Sequence, residues 1–189
     1  MGSPPVHGPV ADNRAQVPAE IYDPQTIRLH WLTAALVALL WIIAQVIDDF
    51  PRGLPRVSAR SVHIVLGTLL AIVVTRRIWW RAARGRRLAS IGPRWLSAAT
   101  KSGHFLLYAA LIMVLLLGLT NAWARGDSLF GLVSIPKLLP GQNQLKPTIE
   151  ALHKYFANGL VIIAVLHSLV ALLHHFYMKD QVLRRMLGR

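Results

Sequence analysis

Two histidines on one apolar stretch are the residues best placed to do chemistry in this chain. Residues 150–180 hold four of the eight histidines. His153 and His167 stand fourteen positions apart, close to four turns of an α-helix. Both rings therefore leave the same face, about 21 Å apart along the axis. Ionisable side chains inside a membrane span are costly and are read by default as functional. We therefore predict that each of these imidazoles binds the iron of a haem group.

The other ligand types in the sequence favour the same chemistry. The chain contains no cysteine, which excludes disulfides, iron–sulfur clusters, thiolate-ligated haem and covalently attached c-type haem. A di-iron carboxylate site needs several Glu or Asp residues within the helices, and the apolar runs contain almost none. The zinc motif HExxH is also absent. Imidazole pairs remain as the favoured ligands of a redox metal.

Four apolar runs supply the elements that must position these histidines. The chain has 189 residues, of which 54% are hydrophobic and 15% charged, whereas about a quarter of a soluble domain is charged. The runs cover residues 27–47, 61–80, 102–123 and 151–177, each near the length of about 20 residues that crosses a bilayer. Backbone groups in lipid need internal partners, so the runs are predicted to be helices. The predicted fold class is an all-α membrane protein, a four-transmembrane-helix bundle formed by residues 21–189, with residues 1–20 as a disordered tail.

The basic residues predict the orientation of this bundle. The net charge is +13, and most of the excess lies between the second and third runs or after the fourth. By the positive-inside rule these segments, and with them both termini, are cytoplasmic. This distribution explains the charge through topology and lipid headgroups, and we expect no nucleic-acid partner. The basic residues from the end of the second run to the start of the third are Arg76, Arg77, Arg81, Arg84, Arg86, Arg87, Arg94 and Lys101.

Helix direction sorts the histidines by depth. Each helix has a histidine near its start, and successive helices cross the membrane in opposite directions. At the outer level only His63 and His153 are available, so they are predicted to form one pair of axial ligands.

The inner level offers more than one partner for His167. His30 and His104 both lie near the cytoplasmic ends of their helices, and depth alone leaves the two alternatives open. His174 follows on the same helical face as His167 but close to the headgroups. His174 and His175 are interpreted as an interfacial anchor at the cytoplasmic rim, with a haem propionate as an alternative contact for His174.

Several motifs then resemble the bacterial cytochrome b561 family, which is related to the cytochrome b subunits of nickel–iron hydrogenases. They are LHWL at 29–32, HxxxG at 63–67, GHxxLY at 103–108 and FGxxxIP at 130–136. The most specific is LHxxxA…LHSLVALLHHFYMKDQVLRRMLG between 152 and 188. The resemblance covers residues 22–188.

The resemblance implies a four-helix protein of the bacterial inner membrane that carries two b haems. It implies His30 with His167 as the inner axial pair and His63 with His153 as the outer pair, and so selects His30 over His104. Arg28 and Arg77 are candidate partners for a haem propionate by charge and depth, and the alternative is that their charges serve only to orient the helices in the membrane.

The resemblance also implies partners. Ubiquinone is the expected lipid-side partner, and superoxide or a periplasmic redox protein is a candidate at the outer face. The superoxide-oxidising branch of the family carries a Lys and a Trp shortly before the outer histidine of helix four. Here Glu150 and Leu152 stand in that region, with Lys146 and Lys154 flanking it. The alternative function from another class is a non-redox membrane anchor or scaffold that binds a partner through the loop 129–139.

Overall fold

Four long helices form the architecture of the chain. The computed structural model describes residues 21–86, 88, 93–138 and 144–188. The helices are α1 (Pro24–Val46), α2 (Leu54–Ala83), α3 (Arg94–Arg125) and α4 (Leu145–Phe176), and each is long and apolar enough to cross a membrane. The predicted four-helix membrane fold is confirmed. The predicted disordered tail, residues 1–20, lies outside the described residues.

Short elements connect and close the helices. A 3₁₀ turn, Ile47–Asp49, links α1 to α2, and a small antiparallel hairpin, β1 (Ser128–Leu129) and β2 (Val133–Ser134), follows α3. A last helical turn, α5 (Arg184–Leu187), ends the described chain. The apolar piece predicted in the loop 129–139 thus contains part of this hairpin, and Leu139 lies outside the described residues.

Three of the helices extend well beyond the predicted spans. α2 begins at Leu54, α3 at Arg94 and α4 at Leu145, which is six to eight residues before the apolar runs at 61, 102 and 151. Hydropathy detects only the lipid-facing part of a helix, whereas backbone hydrogen bonding continues through polar residues into the interface. The turn residues agree with these ends: Gly53 (φ 101°) precedes α2 and Gly126 (φ 67°) follows α3, and glycine adopts such φ values without steric cost.

The helices pair as two hairpins that contact each other much less. α1 packs mainly against α2 and α3 mainly against α4, while the α1–α4 and α2–α3 contacts are few. The small core contains Leu36 of α1, Val74 of α2, Leu111 of α3 and Leu160 of α4. Many large apolar side chains face outward, such as Ile72, Ile162 and Leu173, as expected for surfaces in lipid.

Both ends of the described chain meet at one end of the bundle. The backbone N–H of Tyr22 donates to the carbonyl of Arg185 over 3.2 Å, and Trp31 Nε1 donates to the carbonyl of Met186 over 2.9 Å. We call this the termini end, and we call the opposite end, with β1 and β2, the hairpin end. The contacts agree with an even number of crossings, and they leave open which side of a membrane each end faces.

Candidate functional site

His63 and His153 face each other across the two helical hairpins near the hairpin end. Their ring centroids are 6.4 Å apart and the ring planes are inclined by 85°. Nδ1 of His153 lies 3.1 Å from the carbonyl oxygen of Val114. Since a carbonyl only accepts, Nδ1 carries the hydrogen and Nε2 keeps its lone pair. Gly118 lies beside this ring, and a Cβ added there would come within 3.1 Å of His153 Cε1, so the glycine leaves space for the imidazole.

In the other ring of this pair, one nitrogen has no hydrogen-bond partner among the described residues. Nδ1 of His63 is buried and makes no hydrogen bond to the described residues. Buried polar atoms are usually paired, and an unpaired one calls for an explanation. A ligand bound at Nε2 of His63 would explain the unpaired Nδ1, because that bond would fix the orientation of the imidazole.

Three histidines meet nearer the termini end, where the inner pair is predicted. His167 of α4 lies 6.5 Å from His30 of α1 and 5.3 Å from His104 of α3, measured between ring centroids. His30 stands six residues after the start of α1, and His167 nine residues before the end of α4. The rings nevertheless reach a common depth, so both partners left open by depth are near His167.

The hydrogen bonds of the two candidate partners differ. Nδ1 of His104 lies 2.8 Å from the carbonyl oxygen of Thr100, so this nitrogen donates and Nε2 is free to bind a metal. Arg77 Nη2 donates to Nδ1 of His30 over 2.9 Å. An arginine only donates, so the hydrogen of the neutral His30 ring is on Nε2. The guanidinium of Arg77 also lies over the ring of Tyr108, 5.2 Å from its centroid.

The spacing of these rings can be compared with that of two axial ligands. Imidazole nitrogens bind first-row metals at about 2 Å, and a ring centre lies roughly 1.1 Å beyond its nitrogen, so two axial imidazoles have centres about 6.3 Å apart. The separations of 6.4 Å for His63 and His153 and 6.5 Å for His30 and His167 agree with this value. The 5.3 Å between His104 and His167 is shorter.

The surroundings also leave room for a flat macrocycle. A Cβ added at Gly67 or Gly159, which follow His63 and His153 on their helices, would meet no atom within 4 Å. The two helical hairpins contact each other only sparsely, and both histidine pairs span the gap between them. The donor types, the unpaired His63 Nδ1 and the ring spacing all fit a haem group.

A network of ion pairs lies beside the outer pair. Asp127 contacts Arg60 over 3.4 Å and Arg125 over 3.3 Å, and Glu150 contacts Arg125 over 3.3 Å and Lys154 over 3.0 Å. Sequence reasoning missed Asp127, which is buried. A single acid in a loop has no periodic signal, and its partners come from two different helices, α2 and α3.

His174 lies at the rim of the termini end and contacts neither pair. It is buried, and its Nδ1 bonds to the carboxylate of Asp180. Burial raises the pKa of Asp180, whereas the hydrogen bonds from His174 and the Val182 N–H lower it. The net effect is a pKa below the usual value. The contact therefore ties the segment that holds Asp180 to the last turn of α4, where His174 lies.

Comparison with known proteins places the chain in a family. The family model described as prokaryotic cytochrome b561 matches residues 21–189. Cytochrome b561 homolog 2 of Escherichia coli (strain K12) is 32% identical over 180 residues, which cover 90% of this chain and 93% of that protein.

Two further relatives cover similar lengths. The probable superoxide oxidase CybB of Yersinia pestis is 28% identical over 89% of this chain and 96% of its own. Cytochrome b562 of Cereibacter sphaeroides is 26% identical over 88% and 94%, respectively. The resemblance noted from the motifs is thus confirmed over nearly the whole chain. The protein belongs to the prokaryotic cytochrome b561 family and is a multi-pass bacterial membrane protein that transfers electrons through b-type haem.

Proposed function

We propose that this chain binds two b haems, one between His63 and His153 and one between His30 and His167. The observation that carries the proposal is that α4 presents two histidines, each facing a histidine of the other helical hairpin at 6.4 Å or 6.5 Å. Haem iron supplies reversible one-electron oxidation and reduction. Two imidazoles on each iron would leave no open coordination position, which favours electron transfer over ligand chemistry.

The inner pair requires a change in the contact between His30 and Arg77. Iron binding through Nε2 places the ring hydrogen on Nδ1, and Arg77 has no lone pair with which to accept it. The Arg77–His30 contact seen here would therefore open if His30 held the iron. The released guanidinium is suited to a carboxylate, such as a haem propionate. His104, whose Nε2 is already free, is the competing partner of His167.

The two levels would give electrons a path across the membrane. His153 and His167 are separated by about 21 Å along α4, so two haems held at these depths would relay electrons across most of the apolar layer. The basic segment between α2 and α3 supports a cytoplasmic termini end and residence in the inner membrane. We propose ubiquinone as the lipid-side electron partner.

Superoxide is a candidate substrate at the hairpin end, and a periplasmic redox protein is the alternative donor. One relative is named a probable superoxide oxidase. Three cations, Arg60, Arg125 and Lys154, lie near the outer pair with two carboxylates, and a net positive field attracts anions. Glu150 weakens that field, since it pairs with both Arg125 and Lys154. Family membership favours electron transfer over the non-redox anchor considered from the sequence.

Stopped-flow spectroscopy of the purified haem protein tests these partners. The reduced protein is mixed with a soluble ubiquinone analogue, and the oxidised protein with superoxide. We expect rapid haem oxidation by the quinone; no oxidation beyond the rate in quinone-free buffer would rule it out. If Arg125→Gln is reduced by superoxide as fast as the wild type, the ion-pair network has no role in this reaction. The control variant His175→Ala lies outside both pairs and should react like the wild type.

A further inference from the structure

A cavity of about 640 Å³ lies at the termini end, where α2 ends and α3 begins. Three cationic side chains line it, those of Arg81, Arg86 and Lys101, together with the phenols of Tyr22 and Tyr108. Among the described residues, no acidic side chain lines the cavity. The cavity therefore offers concentrated positive charge and two hydroxyl groups to one ligand.

Asp23 links the walls of this cavity, and its single negative charge offsets only part of the charge of the three cations. Its Oδ1 accepts hydrogen bonds from Trp80 Nε1 over 2.8 Å and from the Thr26 N–H over 2.9 Å. Its Oδ2 accepts from the Arg86 N–H over 3.2 Å and from the Thr26 hydroxyl over 2.6 Å. Both oxygens are thus engaged with backbone N–H groups, the Thr26 hydroxyl and the Trp80 indole rather than with a cationic side chain. The contacts hold Tyr22, which is next to Asp23, close to Arg86.

The position of the cavity along the helices indicates the level of the lipid headgroups. Arg81 lies in the last turn of α2, and Lys101 in the polar first part of α3, before its apolar run. Trp79 and Trp80 precede Arg81, and tryptophans concentrate at this depth. Ile78 contributes an apolar wall on the membrane side. Basic pockets between transmembrane helices at this level suit phosphate-bearing headgroups.

We propose that this cavity binds the phosphate headgroup of an anionic phospholipid. The three cations and two phenols supply donors to the phosphate oxygens, and charge-assisted hydrogen bonds of this kind are the strong ones. The apolar side toward the membrane admits the start of the acyl chains. The inference depends on the membrane position of the chain and is independent of the haem ligand assignment and of the quinone.

Native mass spectrometry of the detergent-purified haem protein tests the site. Phosphatidylglycerol and zwitterionic phosphatidylcholine are added in turn, and retained lipid is counted per chain. We expect one tightly retained phosphatidylglycerol and at least about tenfold weaker phosphatidylcholine binding, because each nearby basic residue favours an anionic lipid. Equal retention of the two lipids by the wild type overturns the proposal without any variant being needed.

Two variants and a competition with inorganic phosphate show which residues bind the lipid and whether the ligand is a lipid headgroup or free phosphate. The double variant Arg81→Gln/Lys101→Gln should bind phosphatidylglycerol at least about tenfold more weakly than the wild type. The control variant Arg76→Gln/Arg84→Gln changes two exposed residues of the same region that do not line the cavity, and it should bind like the wild type. An equal loss in both variants overturns the site. Displacement of the lipid by millimolar inorganic phosphate would assign the cavity to free phosphate instead. Haem content is measured throughout, and haem loss confined to the lining variant would assign these cations to the haem site.

Discussion

At the scale of single residues, the choice between His30 and His104 is the sharpest question about this protein. Ring spacing favours His30 as the partner of His167, and hydrogen bonding favours His104, since Nε2 of His104 is free and that of His30 is not. The membrane depths predicted from the sequence left the same two residues as alternative partners of His167. The residues alone could not decide, because ring positions that differ by about 1 Å depend on helix rotation and tilt, which hydropathy does not encode.

Alanine variants distinguish the two assignments. His30→Ala removes a proposed axial ligand and should lower the haem content by one per chain, while His104→Ala should retain the wild-type content. The measurement is the ratio of haem to polypeptide in the purified variants. His175→Ala serves as the control. Full haem content in His30→Ala together with loss in His104→Ala would transfer the ligand role to His104.

Asp23 should give the termini end a defined dependence on pH. Burial by itself raises the pKa of this carboxyl, but hydrogen bonds from Thr26, Trp80 and the Arg86 N–H outweigh it and lower the pKa from 3.8 to about 2. A carboxyl whose pKa is lower in the folded state stabilises that state above its unfolded pKa. The stabilisation is therefore complete above about pH 4 and is lost as the pH falls toward 2.

The pH prediction is checked by unfolding the detergent-solubilised protein between pH 5 and pH 2. The wild type should lose stability relative to Asp23→Asn across this range, because the variant lacks the titrating group. Trp80→Phe removes one donor to the carboxylate and should show a smaller loss than the wild type. Parallel curves for wild type and Asp23→Asn would show that the Asp23 hydrogen bonds do not stabilise the fold.

At the scale of elements, Ser61 joins the β hairpin to α2 two residues before His63. The side chain is fully buried. Its hydroxyl accepts from the Phe130 N–H over 2.8 Å and donates to a backbone carbonyl of Val57 or Ser128, at 2.7 and 3.2 Å. The motif FGxxxIP was noted from the sequence, but its docking on Ser61 was not, since one serine in an apolar helix has no distinctive pattern.

Ser61→Ala should weaken this junction. The Phe130 N–H would lose its partner at a partly buried position, which costs at most about 1–3 kcal/mol. Denaturant titration in detergent, followed by circular dichroism, measures the change. Thr68→Ala is the control, because its hydroxyl bonds only to the preceding turn of α2 at an exposed position, and it should change stability far less. Equal effects of the two variants would exclude a special contribution from Ser61.

Element ends were harder to predict than element existence. The four apolar runs predicted the four helices, because a lipid-facing surface must be apolar along its whole length. The first turns of α2, α3 and α4 are polar or contain proline, at Pro55, Arg94 and Pro147, so hydropathy does not detect them. Local signals such as Gly53 and Gly126 were informative only once the neighbouring helices were known.

At the scale of the whole molecule, α4 is the shared wall of both histidine sites. It pairs with α3 within one hairpin and presents His153 and His167 to α2 and α1 of the other. The sparse contacts between the two hairpins mean that bound cofactors would contribute much of the packing there. The apolar pattern and the histidine depths predicted four helices and a His63–His153 pair, and only the family resemblance selected His30 over His104 for His167. The ion pairs and the termini-end cavity depend on contacts between distant segments.

The proposed orientation is checked by cysteine labelling, which the absence of native cysteine makes simple. Leu132→Cys lies in the β hairpin, where Leu132 is 86% exposed, and Arg84→Cys lies at the opposite end. With a cytoplasmic termini end, a membrane-impermeant maleimide should label Leu132→Cys from the periplasmic side and Arg84→Cys only after the inner membrane is disrupted. The wild type is the unlabelled control. The reverse pattern would invert the topology.

The central claim is that one chain carries two b haems on four histidines. The most direct test is the amount of haem b per polypeptide in the fully loaded purified protein, with reduced-minus-oxidised spectra of the wild type and of His153→Ala and His167→Ala. We predict two haems in the wild type and at most one in each variant, with a different spectral component lost from each. A wild-type value of one haem per chain at full loading would contradict the two-site arrangement.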